Sequence, residues 1–117
     1  MPTGDQTILV VEDSLRVRAL VVEMLTSAGF RVLEADGPVT MQQLLLAPDC
    51  RVDLLLADLT LPGMSGIELA NRVLADCPDV KVLYMSGYEL HAHPEMAFIE
   101  KPFRAEQLIE KIRAMLS

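Results

Sequence analysis

The sequence predicts an α/β domain, a five-stranded, doubly wound parallel sheet with helices on both faces. Three observations carry this. Short apolar runs of strand length alternate with segments of helical period, five times over in 117 residues. The strongest run, LLLAD, is apolar on both faces, as a strand inside a parallel sheet is. Each run gives way to turn or capping residues and then to a helical stretch, the order that right-handed β-α-β crossovers need.

Thr7–Val11 (TILVV) reads as a buried first strand. Ser14 follows as an N-cap, and Val17, Leu20, Val21, Met24, Leu25 and Ala28 recur at i, i+3, i+4, i+7 along one helix face. Gly29 stands where a helix C-cap belongs. Arg31–Ala35 (RVLEA) is a second, weaker strand. Pro38 opens a helix that runs to about Ala47, and Pro48 stops it. Val52–Asp58 (VDLLLAD) is the third strand, ended by a loop with Pro62 and Gly63. Ser65 caps a helix carrying Leu69, Ala70, Val73 and Leu74. Val80–Ser86 (VKVLYMS) is the fourth strand. The stretch GYELHAHPEM leaves space for a short helix at most. Met96–Ile99 (MAFI) is a short fifth strand. The last helix starts near Arg104, with Leu108, Ile109, Ile112, Met115 and Leu116 on one face. There is no linker, internal repeat or low-complexity segment, so one domain over 1–117 is expected.

Bulk composition narrows the function. Apolar residues make up 51% and charged residues 23%, the balance of an ordinary globular protein able to bury a core without staples. Net charge is −7 with no Lys/Arg cluster, which argues against direct nucleic-acid binding. Cys50 and Cys77 are far apart and form no Cys-x-x-Cys pair; they read as thiols of a reducing compartment. The start, MPTGDQ, lacks the pattern of a signal peptide. No apolar run approaches the roughly 20 residues of a membrane span. A cytoplasmic protein without membrane contact is expected.

Ligands of open α/β sheets collect outside the carboxyl ends of the strands. Glu12 and Asp13 follow the first strand, Asp58 ends the third, Ser86 ends the fourth, and Lys101-Pro102 follows the fifth. Three converging carboxylates repel one another, and a divalent cation relieves this. Oxygen ligands without His or Cys suit a hard ion, Mg²⁺ above all. Mg²⁺ prefers a few carboxylates and a phosphate. Asp58 can then meet the phosphate itself, as a nucleophile forming an aspartyl-phosphate. Lys101 would offset phosphoryl charge and Ser86 would hydrogen-bond a phosphoryl oxygen.

With these residues in place the chain resembles the receiver domain of two-component response regulators. The likeness covers Thr7 to Leu116. It rests on VVEDS after the first strand, ADLTLPGMSGIEL around the third, VLYMSGY at the fourth and EKPF after the fifth. Four motifs, in order and at matching strand ends, make it specific. The resemblance implies a flavodoxin-like sheet of order 2-1-3-4-5. It implies Mg²⁺ on Glu12, Asp13, Asp58 and the Thr60 carbonyl, with Mn²⁺ an acceptable substitute. Asp58 is then the phospho-acceptor, Lys101 its phosphoryl partner and Ser86 the hydroxyl that signals phosphorylation. Gly87 leaves room for the phosphoryl group, Thr60 and Tyr88 flank the pocket and tune hydrolysis, and the Lys101–Pro102 bond is cis. Phe98 holds the place of the aromatic that swings with the hydroxyl. The implied donor is the phosphohistidine of a histidine kinase or a histidine phosphotransfer domain; nothing names the downstream target. The family's spacing between Ser86 and Lys101 is longer by roughly two turns, at 3.6 residues per turn. The fourth helix should therefore be short or missing; in the family that helix, the fifth strand and the fifth helix form the signalling and dimerisation face, so the resemblance does not imply a standard dimer there. The MSGY…KPF wording also resembles receivers of hybrid histidine kinases.

Other readings have less behind them. A haloacid-dehalogenase-type phosphohydrolase needs a second Asp where Thr60 stands, and its nucleophile after the first strand. A flavodoxin-like FMN carrier needs a Ser/Thr/Gly-rich phosphate loop where Glu12 and Asp13 would repel phosphate. A degenerate, non-phosphorylated receiver acting as a binding module is favoured only by the short fourth helix. His91 and His93 read as a solvated loop, and the seven methionines as core filler.

Overall fold

The computed structural model describes residues 6–47, 51–87 and 96–117. The apolar run Thr7–Val11 forms β1, buried along its whole length. It lies between β2 (Arg31–Ala35) and β3 (Leu54–Asp58), and the sheet continues through β6 (Lys81–Ser86) to β7 (Ala97–Glu100). The order is β2-β1-β3-β6-β7, every pairing parallel. This is the expected 2-1-3-4-5 sheet, because β4 (Thr60–Leu61) and β5 (Met64–Ser65) belong to a separate two-residue hairpin. Its turn is built by Pro62 followed by Gly63 at φ 76°, the left-handed position that favours glycine. The sequence pattern shows this segment only as a loop.

Alternation along each strand makes two cores, one on each face. Ile8, Val10, Leu54, Leu56, Leu83, Met85 and Ile99 pack against α1 (Leu15–Ser27) and α4 (Ala105–Leu116). Leu9, Val11, Leu55, Ala57 and Tyr84 pack against α2 (Pro38–Leu45) and α3 (Gly66–Asp76). Ser14 caps α1, accepting from the Val17 N–H at 3.3 Å. Past its end, Gly29 at φ 98° donates to the Thr26 carbonyl and Phe30 to the Leu25 carbonyl. That pair of bonds is a Schellman motif, and Phe30 and Leu25 are buried in the same core cluster.

Several boundaries move. Leu20, expected on the buried stripe of α1, is 54% exposed, at the margin of a stripe formed by Val17, Val21, Met24, Leu25 and Ala28. α2 ends at Leu45, two residues early. β3 starts at Leu54, not Val52, because Asp53 bonds across to β1: its N–H donates to the Thr7 carbonyl at 2.9 Å and its Oδ2 accepts from the Thr7 N–H at 2.8 Å. β7 is shifted one residue to Ala97–Glu100. Four helices are present among the described residues. The shortened fourth helix expected before Met96, together with Tyr88, His91 and His93, lies outside the described residues, as does Cys50. Cys77 is a free, half-buried thiol. No helix among the described residues is long and apolar enough to cross a membrane.

Candidate functional site

The pleat builds the site. Val11 pairs with Ala57, so Glu12 comes next in register beside Asp58. Both continue the parity of Val10 and Leu56, on the α1/α4 face. Lys101 lies two residues beyond Ile99 and keeps that parity too. Ser86 instead continues the parity of Tyr84, the side where Phe98 packs, half-buried and paired with Tyr84 in register.

Lys101 joins the carboxylates. Its Nζ donates to Asp58 Oδ2 and to Glu12 Oε1, each at 2.8 Å. Asp58 Oδ1 accepts from the Thr60 N–H at 3.0 Å, so Thr60 reaches the site through its backbone. Glu12 Oε2 accepts from the Ser14 N–H at 3.1 Å, and the Glu12 N–H donates to the Ala35 carbonyl at 3.1 Å. Glu12 is only 1% exposed, whereas Asp13 is exposed. One oxygen from each of Glu12, Asp13 and Asp58 lies within 4.8 Å of the others.

Electrostatics follow from this packing. Burial raises the Glu12 carboxyl above its ordinary value, and the Asp58 charge adds to that; hydrogen bonds from Lys101 and Ser14 work the other way without cancelling it. Burial by itself would lower the Lys101 ammonium, but Asp58 and Glu12 outweigh it and hold its pKa up. Lys101 is therefore a cation at neutral pH. Counted as formal charges, three carboxylates and one ammonium sum to −2, which a single divalent cation balances. The donors are all oxygen, the set a hard cation takes.

The backbone around Asp58 is fixed by short contacts. Leu59 N–H donates to the Met85 carbonyl at 2.9 Å and Gly66 N–H to the Leu59 carbonyl at 2.8 Å. A Cβ on Gly66 would overlap the Asp58 carbonyl oxygen, so only glycine lets α3 start against the end of β3. Sequence reasoning missed Gly66; its signal was a glycine directly after the Ser65 cap. On the other side, the Lys101 N–H donates to the Ser86 carbonyl at 2.6 Å. The Lys101–Pro102 peptide is cis, as the resemblance implied. Ser86 is 3% exposed. A Cβ on Gly87 would meet nothing within 4 Å, so open space adjoins Ser86.

The fold and this acidic, lysine-bridged edge define a signalling receiver. Residues 8–113 match the response regulator receiver domain family, and the chain belongs to it. It is 32% identical to the sensor kinase CckA of Brucella abortus over 97% of its own length, but spans only 13% of that kinase. It is 32% identical to the response regulator receiver protein CpdR of the same organism, covering 93% of this chain and 95% of CpdR. Among solved structures it resembles the response regulator TrrA of Thermotoga maritima, in complex with Mg²⁺–BeF, at 25% identity and a TM-score of 0.82, covering 95% of this chain and 99% of that one. The chain is thus a receiver domain of two-component signalling.

Proposed function

We propose that this chain is a single receiver domain over residues 1–117 whose Asp58 accepts the phosphoryl group of a phosphohistidine. An Asp58 carboxylate oxygen attacks phosphorus in line. The new P–O bond forms as the P–N bond breaks, and the imidazole leaves with the electron pair, giving an acyl phosphate. The observation that carries this reading is the convergence of Asp58 with Lys101 at 2.8 Å and with Glu12 and Asp13 at one sheet edge.

Each neighbour has a part. Lys101 places its ammonium where phosphoryl charge develops. The Thr60 N–H orients Asp58 by holding Oδ1. Glu12, Asp13, Asp58 and the Thr60 carbonyl would hold Mg²⁺, or Mn²⁺ in its place, which supplies charge neutralisation at the phosphoryl oxygens. The Mg²⁺–BeF complex of the Thermotoga relative supports this. Ser86 and Phe98, on the same side of the sheet, form the switch that reads the phosphorylated state, and Gly87 leaves space beside them. Tyr88, with Thr60, tunes hydrolysis.

The partner is a histidine kinase or a histidine phosphotransfer domain, and a place within a hybrid histidine kinase agrees with the CckA likeness. The domain acts in the cytoplasm, binds no nucleic acid directly and, alone, performs no catalysis beyond taking up phosphate and slowly hydrolysing it. Intact-mass spectrometry after incubation with acetyl phosphate and Mg²⁺ tests this. The wild type should gain one phosphoryl group; Asp58→Asn and a metal-free sample should not. Uptake undiminished in Asp58→Asn would overturn the assignment. A wild type that gains no mass and binds no beryllofluoride would point to a degenerate, binding-only receiver.

A further inference from the structure

Arg18 sits in the second turn of α1 with its side chain 14% exposed. Its Nη1 donates to the Glu12 carbonyl at 2.8 Å, and its Nε donates to Glu34 Oε1 on β2 at 3.1 Å. The guanidinium thus clamps the loop between β1 and α1 against the neighbouring strand. With Arg18 in place, every polar group of Glu12 has a partner: Ala35 on its N–H, Arg18 on its carbonyl, Lys101 and Ser14 on its carboxylate oxygens.

We propose that Arg18 is a positioning residue for the acid pair, fixing the Glu12–Asp13 peptide and so the direction of the Asp13 carboxylate. The Glu12 carbonyl and the Asp13 N–H share one rigid plane, so holding the carbonyl fixes the start of Asp13. Asp13 is exposed, so little packing holds its side chain, and its direction starts from the backbone. Yet its oxygen must stay within 4.8 Å of those of Glu12 and Asp58 for the three to act together. Glu34 has the complementary task. It takes the second donor of the guanidinium fork, so the first stays aimed at the carbonyl. A lysine has no such fork.

The inference rests on the metal-site reading of Glu12, Asp13 and Asp58, and the sign of one measurement isolates it. Removing a positive charge near three carboxylates should strengthen cation binding by field alone. Losing a positioning residue should weaken it, about tenfold by the usual cost of a mutated outer partner. Titration calorimetry with Mg²⁺ on the folded chain compares wild type, Arg18→Ala and Arg16→Ala, the last removing the same charge from an exposed site on the same helix. Arg18→Ala should bind about tenfold more weakly, and Arg16→Ala as tightly as wild type or slightly tighter. Unchanged or tighter binding in Arg18→Ala would sink the proposal, as would an equal loss in Arg16→Ala. Should Arg18→Ala not fold, Arg18→Lys keeps the charge and one donor but not the fork. It should bind several-fold more weakly, and wild-type affinity there would count equally against the role. A wild type that binds no Mg²⁺ would overturn the metal-site reading itself and this role with it, an outcome distinct from a loss confined to Arg18.

Discussion

Replacing Gly66 by alanine should damage both stability and the site. The added Cβ would overlap the Asp58 carbonyl oxygen and lie 2.9 Å from Leu59 Cα and 3.0 Å from the Asp58 carbonyl carbon. All are backbone atoms at the end of a strand paired on both edges, and none can swing aside as a side chain would. Overpacking in such surroundings costs about 1–3 kcal/mol, and backbone neighbours put this case near the top. Better helix propensity returns up to about 1 kcal/mol, leaving a net loss of about 2 kcal/mol. Against a total of roughly 5–15 kcal/mol that is substantial, and it corresponds to a fall in Tm of about 8 °C for a domain of this size. Relief of the overlap must move Asp58 or Leu59. Asp58 then loses its fit to Lys101, and phosphoryl uptake should slow about tenfold for about 1.4 kcal/mol of misplacement. Urea unfolding followed by circular dichroism gives the first number, and timed mass spectrometry with acetyl phosphate the second. Gly37→Ala is the control: its φ of 177° is ordinary extended backbone and nothing lies within 4 Å of the new Cβ. If Gly66→Ala unfolds within about 0.5 kcal/mol of wild type, the range of an ordinary surface change, the steric reasoning is wrong.

Two further perturbations separate fold from site. Asp53→Ala removes the acceptor of the buried Thr7 N–H at the amino edge of the sheet. It should cost about 1–3 kcal/mol in urea unfolding while leaving Mg²⁺ affinity unchanged; a changed affinity would show that the two edges are coupled. Glu12→Gln tests the buried acid. Its carboxyl is raised above 4.5, chiefly by burial, so the folded state holds the proton more tightly than the unfolded chain. Stability of the metal-free protein should therefore fall as pH rises through the window above that value. Glu12→Gln should flatten the decline, read as urea unfolding in chelator at pH values stepped upward from 4.5. The same slope in both proteins would refute the assignment to Glu12. Lys101 contributes no slope there, because its own pKa is held above 10.5 and it stays charged throughout.

The strand ends were legible because a parallel sheet puts its ligands there and because each carboxylate stops an apolar run. The pattern LLLAD alone places Asp58 last. Gly29, Ser14 and Ser65 were legible for another reason, since helix ends leave backbone groups that few residue types can satisfy. What escaped was mostly long-range. Asp53 took a place in the bonding between β1 and β3 through its side chain, which no local period shows. The hairpin Thr60–Ser65 pairs only two residues per strand, too few for alternation to register. Leu20 obeyed the helical period, yet the stripe of α1 was narrower than the period allows. Arg18 and Gly66 carried no pattern of their own; each matters through an atom of another element.

Two of these, Asp53 and Gly66, act at strand ends, where register bears on how the domain works. Glu12, Asp58 and Lys101 lie on one face because each strand exits with the same parity, and a one-residue slip in any strand would turn its carboxylate or ammonium to the other side. Register is therefore part of the chemistry. It is guarded by contacts just outside the ladder: Asp53 at the amino edge, Gly66 and the Leu59 N–H beside Asp58, and the Lys101 N–H on the Ser86 carbonyl. The last of these has a functional consequence. Lys101 faces Asp58 through its side chain while its backbone is tied to Ser86 on the opposite parity. Under the proposed function, a phosphoryl group on Asp58 that repositions Lys101 would be felt at Ser86 through that backbone bond, and at Phe98 through the pairing of β6 with β7. The path from Asp58 to Ser86 is short in this domain, because one residue, Lys101, bonds to both.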